Sequence, residues 1–501
     1  MEIGEKEVLM KRGFYFVFLL ALGIHLAPGI AAEKLNKDLE KALNSIQPMD
    51  AYNYVKTLSS REFAGRLTGH EGYTAAAKWA ATKFKAWGLR PMNPQAGFLQ
   101  SYPSPYTLID KSEMTLLVPK NKTDSSNPEE TALEEIKLEP EKDYLPLLFT
   151  DSGKAIAGTV FAGWGICAPD LNYDDYAGLD VKGKYVLCFR GTPDELDSRF
   201  QFHDEHRTRM RVAKEKGALG LIYIYDGPLS NPNGDWIQGF TPAIISEKIA
   251  DKVLGEKGTN SADLKKALLT YKRPLSFPLH SQFNYSVESR HFPNGVGYNV
   301  VAIVQGSALA KECIVIGGHF DHNGLHQGLL FPGADDNASG SAVVMEIAEA
   351  FAKLKQPPKR SVLFILFGGE EMGLKGSTYF AEHLPEPFQK VDAMFNFDMT
   401  GEGDGTEVSL GVKTSEMKKA LESADEYVHT LRDTVEIRNV GVRGSDFAPF
   451  FLKGVVCASF FSNGPHLAYH KTGDTIYRIN PDIMADIARL AFLTAHTWAN
   501  R

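Results

Sequence analysis

From about residue 296 to the end, short apolar runs alternate with segments whose apolar residues recur every three to four positions. That alternation restricts the region to a sheet covered by helices. The runs at 313–316, 362–367, 394–397 and 455–461 read as strands, and 339–354 and 481–499 read as helices. The expected class is α/β, with a mixed, mostly parallel central sheet flanked by helices. Residues 36–90 read as further helices, the last of them stopping at Gly88.

Between these regions the texture changes. Residues 143–275 carry apolar runs punctuated by glycine, such as Gly220-Leu-Ile-Tyr-Ile-Tyr225, and no tight cluster of His, Asp and Glu. They read as a β-rich, non-catalytic module. The polar stretch 119–142 reads as an exposed linker or long surface loop and marks a boundary. The expected organisation is therefore 33–142 as the N-terminal part of one domain, 143–275 as an insertion, and 276–501 as the part that carries chemistry.

The first 32 residues have the shape of an export signal: Lys11 and Arg12, an apolar stretch over 14–26, and the small-residue exit Pro28-Gly-Ile-Ala-Ala32. The apolar stretch is too short to span a bilayer, which needs about 20 residues. The mature protein is thus expected outside the cytoplasm, periplasmic or extracellular, with no stable membrane association after cleavage. A formal charge of −8, with no Lys/Arg cluster of five or more, argues against a nucleic-acid partner. Cys167, Cys188, Cys313 and Cys457 form no C-x-x-C pair, so a metal here must use other ligands.

Those other ligands stand where the strands end. His319-Phe-Asp321 follows the first run, Gly368-Gly-Glu-Glu371 the second, and Asp398 the third, while Gly333-Ala-Asp-Asp-Asn-Ala-Ser-Gly340 precedes a helix and Tyr469-His470 precedes the last one. Taken singly, each has a structural explanation, the paired Asp335 and Asp336 as helix caps among them. Together they collect imidazoles and carboxylates at the end of an α/β sheet where sites are usually built. Mixed imidazole and carboxylate donors without cysteine suit zinc, with manganese or cobalt as substitutes.

The ordered segments GGHFD, GADDNASG, GGEEMGLKGS, NFDMTG and YHKTGDT resemble the dizinc aminopeptidases of the bacterial leucyl aminopeptidase type. AGRLTGHEG at 64–72 is similar to that family's early Gly-Arg segment, and the middle module resembles its inserted protease-associated domain. The resemblance implies a zinc exopeptidase fold and two zinc ions per chain, one held by His319 and Asp398 and the other by Glu371 and His470, with Asp335 as the bridge. It further implies Glu370 as general base and later acid, Asp321 as the group orienting His319, and a cis peptide between Asp335 and Asp336.

One departure concerns the oxyanion. Some family members place a tyrosine near the Ser-Asp of a late loop, where this chain has Val442 and Arg443 ahead of Ser445-Asp446. Ser445 and Asp446 read as a helix cap, and His322, His326 and His466 as loop or supporting residues. The function implied is an exported aminopeptidase acting on peptide or protein substrates. Glutaminyl cyclase, carboxypeptidase and a receptor-like binding protein are the alternatives on the same fold.

Overall fold

The computed structural model describes residues 35–501 apart from 94, 96, 121–132, 195, 233–234, 411–413 and 432–443. The segment expected to be an export signal and the Val442-Arg443 pair lie outside the described residues.

Arg360–Phe367 is apolar at every position from Val362 onward and is buried throughout that stretch. A strand covered on both faces needs this continuous run. It pairs in parallel with Leu309–His319, which pairs in parallel with Lys390–Phe397, and that strand pairs in parallel with Val456–Ser462. Antiparallel strands complete both edges: Val296–Val304 with Arg90–Pro91 and Leu99–Pro103 on one side, Thr406–Leu410 on the other. The sheet is mixed, with its parallel pairs at the centre.

Alternation along each strand divides the core in two. Val315, Leu363, Ile365, Phe367 and Met394 pack with Phe380 and Phe450 on one face. On the opposite face Phe364 meets Phe351 of the helix Gly340–Ala352, and Phe351 in turn meets Phe492 of the helix Pro481–Ala499. The four parallel strands all point their C-terminal ends to one edge. The predicted strands and helices of this half stand within a few residues of their expected bounds, as do the helices Lys37–Leu43, Pro48–Leu58 and Glu71–Ala86.

The second sheet is larger than the expected insertion. Its strands run in the order Leu133–Lys137, Tyr106–Pro119, Ser276–Phe292, Gly153–Ala162, Tyr185–Phe189, Gly220–Tyr225, Ala243–Ser246 and Tyr144–Pro146. Tyr106–Pro119 and Ser276–Phe292 pair with each other, so the sheet takes its strands from 106 to 292, a wider span than the expected 143–275. Most of the polar stretch expected as a boundary, 121–132, lies outside the described residues, and the strands on its two sides pair with each other. Among the described residues no helix is long and apolar enough to cross a membrane, and all four cysteines are free.

Candidate metal centre

Each group arrives at the common edge for a local reason. His319 is the last residue of Leu309–His319, Asp398 directly follows Lys390–Phe397, and Glu370 and Glu371 follow Arg360–Phe367 through two glycines. At Gly318 an added Cβ would stand 2.3 Å from the carbonyl oxygen of Phe397, so only glycine lets the two strand ends approach this closely. Gly333 has φ 58°, and a Cβ there would meet the Asp336 carbonyl at 2.3 Å and the His322 ring at 2.4 Å. That glycine folds the turn 334–339 back over the sheet edge.

Asp336 occupies the middle of the cluster. Its Oδ1 is 3.2 Å from His319 Nε2 and its Oδ2 is 3.2 Å from His470 Nε2. His319 Nε2 also lies 3.2 Å from Asp398 Oδ1, and His470 Nε2 lies 2.9 Å from Glu371 Oε2. One carboxylate thus faces two imidazoles, each flanked by a second carboxylate. Among the described residues two groups have donors close enough to share a cation, His319 with Asp336 and Asp398, and His322 with Asp336 and Glu371. Asp336 is common to both.

Asp335 does not take the bridging place expected for it. Its Oδ1 accepts from the Gly401 N–H at 2.8 Å, and its Oδ2 is 2.5 Å from His466 Nδ1. The main-chain N–H groups of Asp335 and Asp336 are both held by the Asp474 carboxylate, at 2.8 and 3.0 Å, and this clamp turns the two side chains apart. The cis peptide likewise falls one residue later than expected, between Asp336 and Asn337. The run Asp-Asp-Asn can be laid on the motif in two registers, and residue type alone does not choose between them. Asn337 settles the register in the fold: its Nδ2 donates to the Phe397 carbonyl, and its Oδ1 accepts from the Gly340 N–H.

Around this centre stand supporting groups. His319 Nδ1 lies 3.2 Å from the Asp321 main-chain carbonyl and 3.9 Å from its carboxylate, so the main chain is the nearer orienting group. The Asp321 carboxylate accepts from the Glu370 N–H at 3.2 Å and so ties the His319 loop to the Glu370 loop. His322 is buried and places Nδ1 2.9 Å from Glu371 Oε1. Arg66, in the early Gly-Arg segment, is buried and donates to the carbonyls of Leu58, Phe320, Pro332 and Gly333 at 2.6–2.8 Å. It staples both loops that carry the first cluster.

The cap expected from Ser445-Asp446 is absent. The helix Ala448–Leu452 has no side-chain cap, and Asp446 is buried with both carboxylate oxygens unpartnered. Ser445 instead accepts from Asn396. His326 is a structural residue, bonded to the Ile109 N–H and the Asn323 carbonyl.

The electrostatics follow from this crowding. Desolvation pushes the Glu370 carboxyl well above the ordinary range; Glu371, Asp446 and Asp398 add to the effect and His319 opposes it. Burial would also raise Glu371, but the neighbouring His470 and the hydrogen bond from His322 hold it at about 2. Asp336 behaves the same way: the two close imidazoles outweigh burial and keep it well below its usual value. The donor set fits zinc on an observation independent of motif. Asp321 Oδ2 is buried without a hydrogen-bond partner, and Asp336 meets only the two imidazoles, an arrangement of imidazole and carboxylate donors that a cation fits.

Comparison with known proteins agrees with this geometry. The profile of Peptidase family M28 matches residues 299–495, the span that holds every residue of the cluster. The aminopeptidase YwaD of Bacillus subtilis is 25% identical over 332 residues, covering 64% of this chain and 64% of its own length. Among solved structures, a peptidase M28 precursor from Shewanella amazonensis has a TM-score of 0.65 at 21% identity, covering 92% of this chain and 96% of that one. BSAP, a zinc aminopeptidase from Bacillus subtilis, has a TM-score of 0.58 at 19% identity, covering 90% and 95%. The fold is that of these peptidases, and the resemblance first carried by five short motifs extends over the whole domain.

Proposed function

We propose that this chain is an exported, zinc-dependent aminopeptidase that removes N-terminal residues from peptides, with the inserted module a protease-associated domain. The observation that carries the reading is the single carboxylate of Asp336 set between His319 and His470 at equal distances of 3.2 Å. In this reading His319 and Asp398 would hold one zinc and His470 and Glu371 the other, with the Asp336 carboxylate available to both. When bound, zinc supplies Lewis-acid polarisation of the scissile carbonyl and lowers the pKa of the attacking water.

The remaining work falls to the chain. Glu370 stands beside the cluster with a carboxyl whose pKa is raised, which suits a group that takes a proton from water and returns it to the leaving amine. Asp321 holds the Glu370 main chain and His319 in one frame, which fixes base and ligand relative to each other. The name of the Bacillus relative supports attack next to a free N-terminus, in preference to cyclisation or carboxypeptidase action.

A panel of aminoacyl anilides, each with a free and an acetylated α-amine, tests the reading before and after chelation and zinc readdition. Cleavage of free amines only, lost on chelation and restored by zinc, is the expected result. Absence of cleavage by the zinc-loaded protein contradicts it.

A further inference from the structure

His470 is gripped from the inserted module. Its Nδ1 lies 2.8 Å from the main-chain carbonyl oxygen of Ser230, and the Ser230 N–H donates to the carbonyl of His470 at 2.9 Å. Ser230 is buried and lies between the strands Gly220–Tyr225 and Ala243–Ser246 of the second sheet. Two reciprocal bonds from one residue fix both the backbone and the ring of their partner.

The backbone at His470 needs such support. Its φ is 56°, a left-handed conformation that a residue with a side chain adopts only when its surroundings enforce it. The ring is also stacked on Tyr469, with centroids 3.8 Å apart and planes 19° from parallel. The Ser230 carbonyl can only accept, so Nδ1 carries a proton and Nε2 is the nitrogen left to meet a cation between Asp336 and Glu371. A ring free of Ser230 has no such restriction on its tautomer.

We propose that Ser230 is a positioning residue of the centre: its main chain sets the tautomer and orientation of His470, so the cation held by His470 and Glu371 depends on the inserted module. The inference rests on the two-zinc reading above. It assigns the module a part in building the centre itself, in addition to any contact with substrate. It also predicts that the two cations respond unequally to a change in the module, because His319 and Asp398 receive no bond from Ser230.

Replacing Ser230 by proline removes the N–H and restricts the backbone, whereas alanine keeps both main-chain groups. Zinc content would be measured by elemental analysis after equilibration of wild type, Ser230→Ala and Ser230→Pro with a graded dipicolinate series. Wild type and Ser230→Ala should release both ions at the same points. Ser230→Pro should release one ion at about tenfold to hundredfold lower chelator concentration, the usual effect of losing a group that supports a ligand, while the other keeps its wild-type release point.

Two unchanged release points in folded Ser230→Pro would overturn the proposal. Wild type that binds no zinc would instead overturn the two-zinc reading. The link itself is read separately from histidine ¹⁵N spectra of the unsubstituted protein, with the His470 signal assigned by its loss in His470→Gln. In the zinc-loaded protein a slowly exchanging proton on Nδ1 of His470 supports the link, and a proton on Nε2 with none on Nδ1 contradicts it even if the proline variant fails to fold.

Discussion

The two halves of the molecule each build an eight-stranded mixed sheet, and each buries carboxylates, yet they treat those carboxylates differently. In the inserted module Asp175 accepts from the N–H groups of Trp164 and Ile166 and from the Tyr173 hydroxyl, all at 3.0 Å. Around the parallel strand ends of the other half, Asp321 keeps an unpartnered oxygen and Asp446 keeps two, while Asp336 meets only the two imidazoles. Burial pushes Asp175, Asp321 and Asp446 alike up to about 7. A shifted pKa therefore does not distinguish a structural acid from a functional one here; the neighbours do. An acid surrounded by main-chain and hydroxyl donors is finished by the chain, whereas acids that converge on shared imidazoles have the donor set that a cation fits.

The largest test of this contrast exchanges neighbours in sequence. Asp336→Ala should abolish turnover and leave the protein without its full zinc complement, because both halves of the cluster share that carboxylate. Asp335→Ala should retain bound zinc, with affinity lowered by about tenfold to hundredfold as expected for a residue outside the ligand set. Elemental analysis and anilide kinetics on the pair decide it, and the opposite ranking would restore Asp335 to the bridge.

Glu370→Gln comes next. It should lower kcat by about 10²–10⁴-fold while zinc content stays at the wild-type level, since the change removes a proton acceptor and no ligand. Loss of zinc together with activity would make Glu370 a ligand.

In the module, Asp175→Asn should leave zinc and kcat unchanged and destabilise the fold by about 1–3 kcal/mol, because an amide group would be turned against donors that the carboxylate now satisfies. Chemical denaturation measures the loss. A fall in zinc content would show that the two regions are not as separate as their donor sets indicate.

The smallest effect belongs to Glu346, a buried acid of the half that carries the candidate centre, with one oxygen served by the Gln47 N–H and the other unpartnered. Burial, with Glu349 and Asp50 adding, raises its carboxyl from 4.5 to about 8. The folded state then holds a proton that the unfolded state has released, and stability falls as pH rises from about 4.5 through about 8. Glu346→Gln should remove that loss, so its melting temperature should exceed wild type by a margin that grows between pH 5 and pH 9. A margin independent of pH would contradict the assignment, and any change in zinc content would extend the cation site to Glu346.

Most of the half that carries the candidate centre was legible in the order of residues. Val362 to Phe367 is too apolar to be anything but a covered strand, and the acids and histidines just past the strand ends named the site edge before any coordinate did. Two features were not legible, for different reasons. Asp335 and Asp336 are chemically identical neighbours, and what separates them is the Asp474 clamp from a loop 138 and 139 residues away. Ser230 acts through main-chain atoms, which every residue possesses, so no choice of side chain signals it.

The extent of the second sheet was not legible for a third reason. Tyr106–Pro119 and Ser276–Phe292 are long strands without the glycine punctuation that marked the rest of the module, and only their mutual pairing assigns them to it. The AGRLTG segment was visible as a motif but gave no role. Its arginine bonds to four main-chain carbonyls brought together only by the fold.

The central claim, that one carboxylate at position 336 joins two cations, is tested most directly by anomalous diffraction at the zinc absorption edge from crystals of the zinc-loaded protein. The account predicts two peaks, one between Asp336, His319 and Asp398 and the other between Asp336, His470 and Glu371. Zinc beside Asp335 and His466, or one peak that does not touch Asp336, would contradict it.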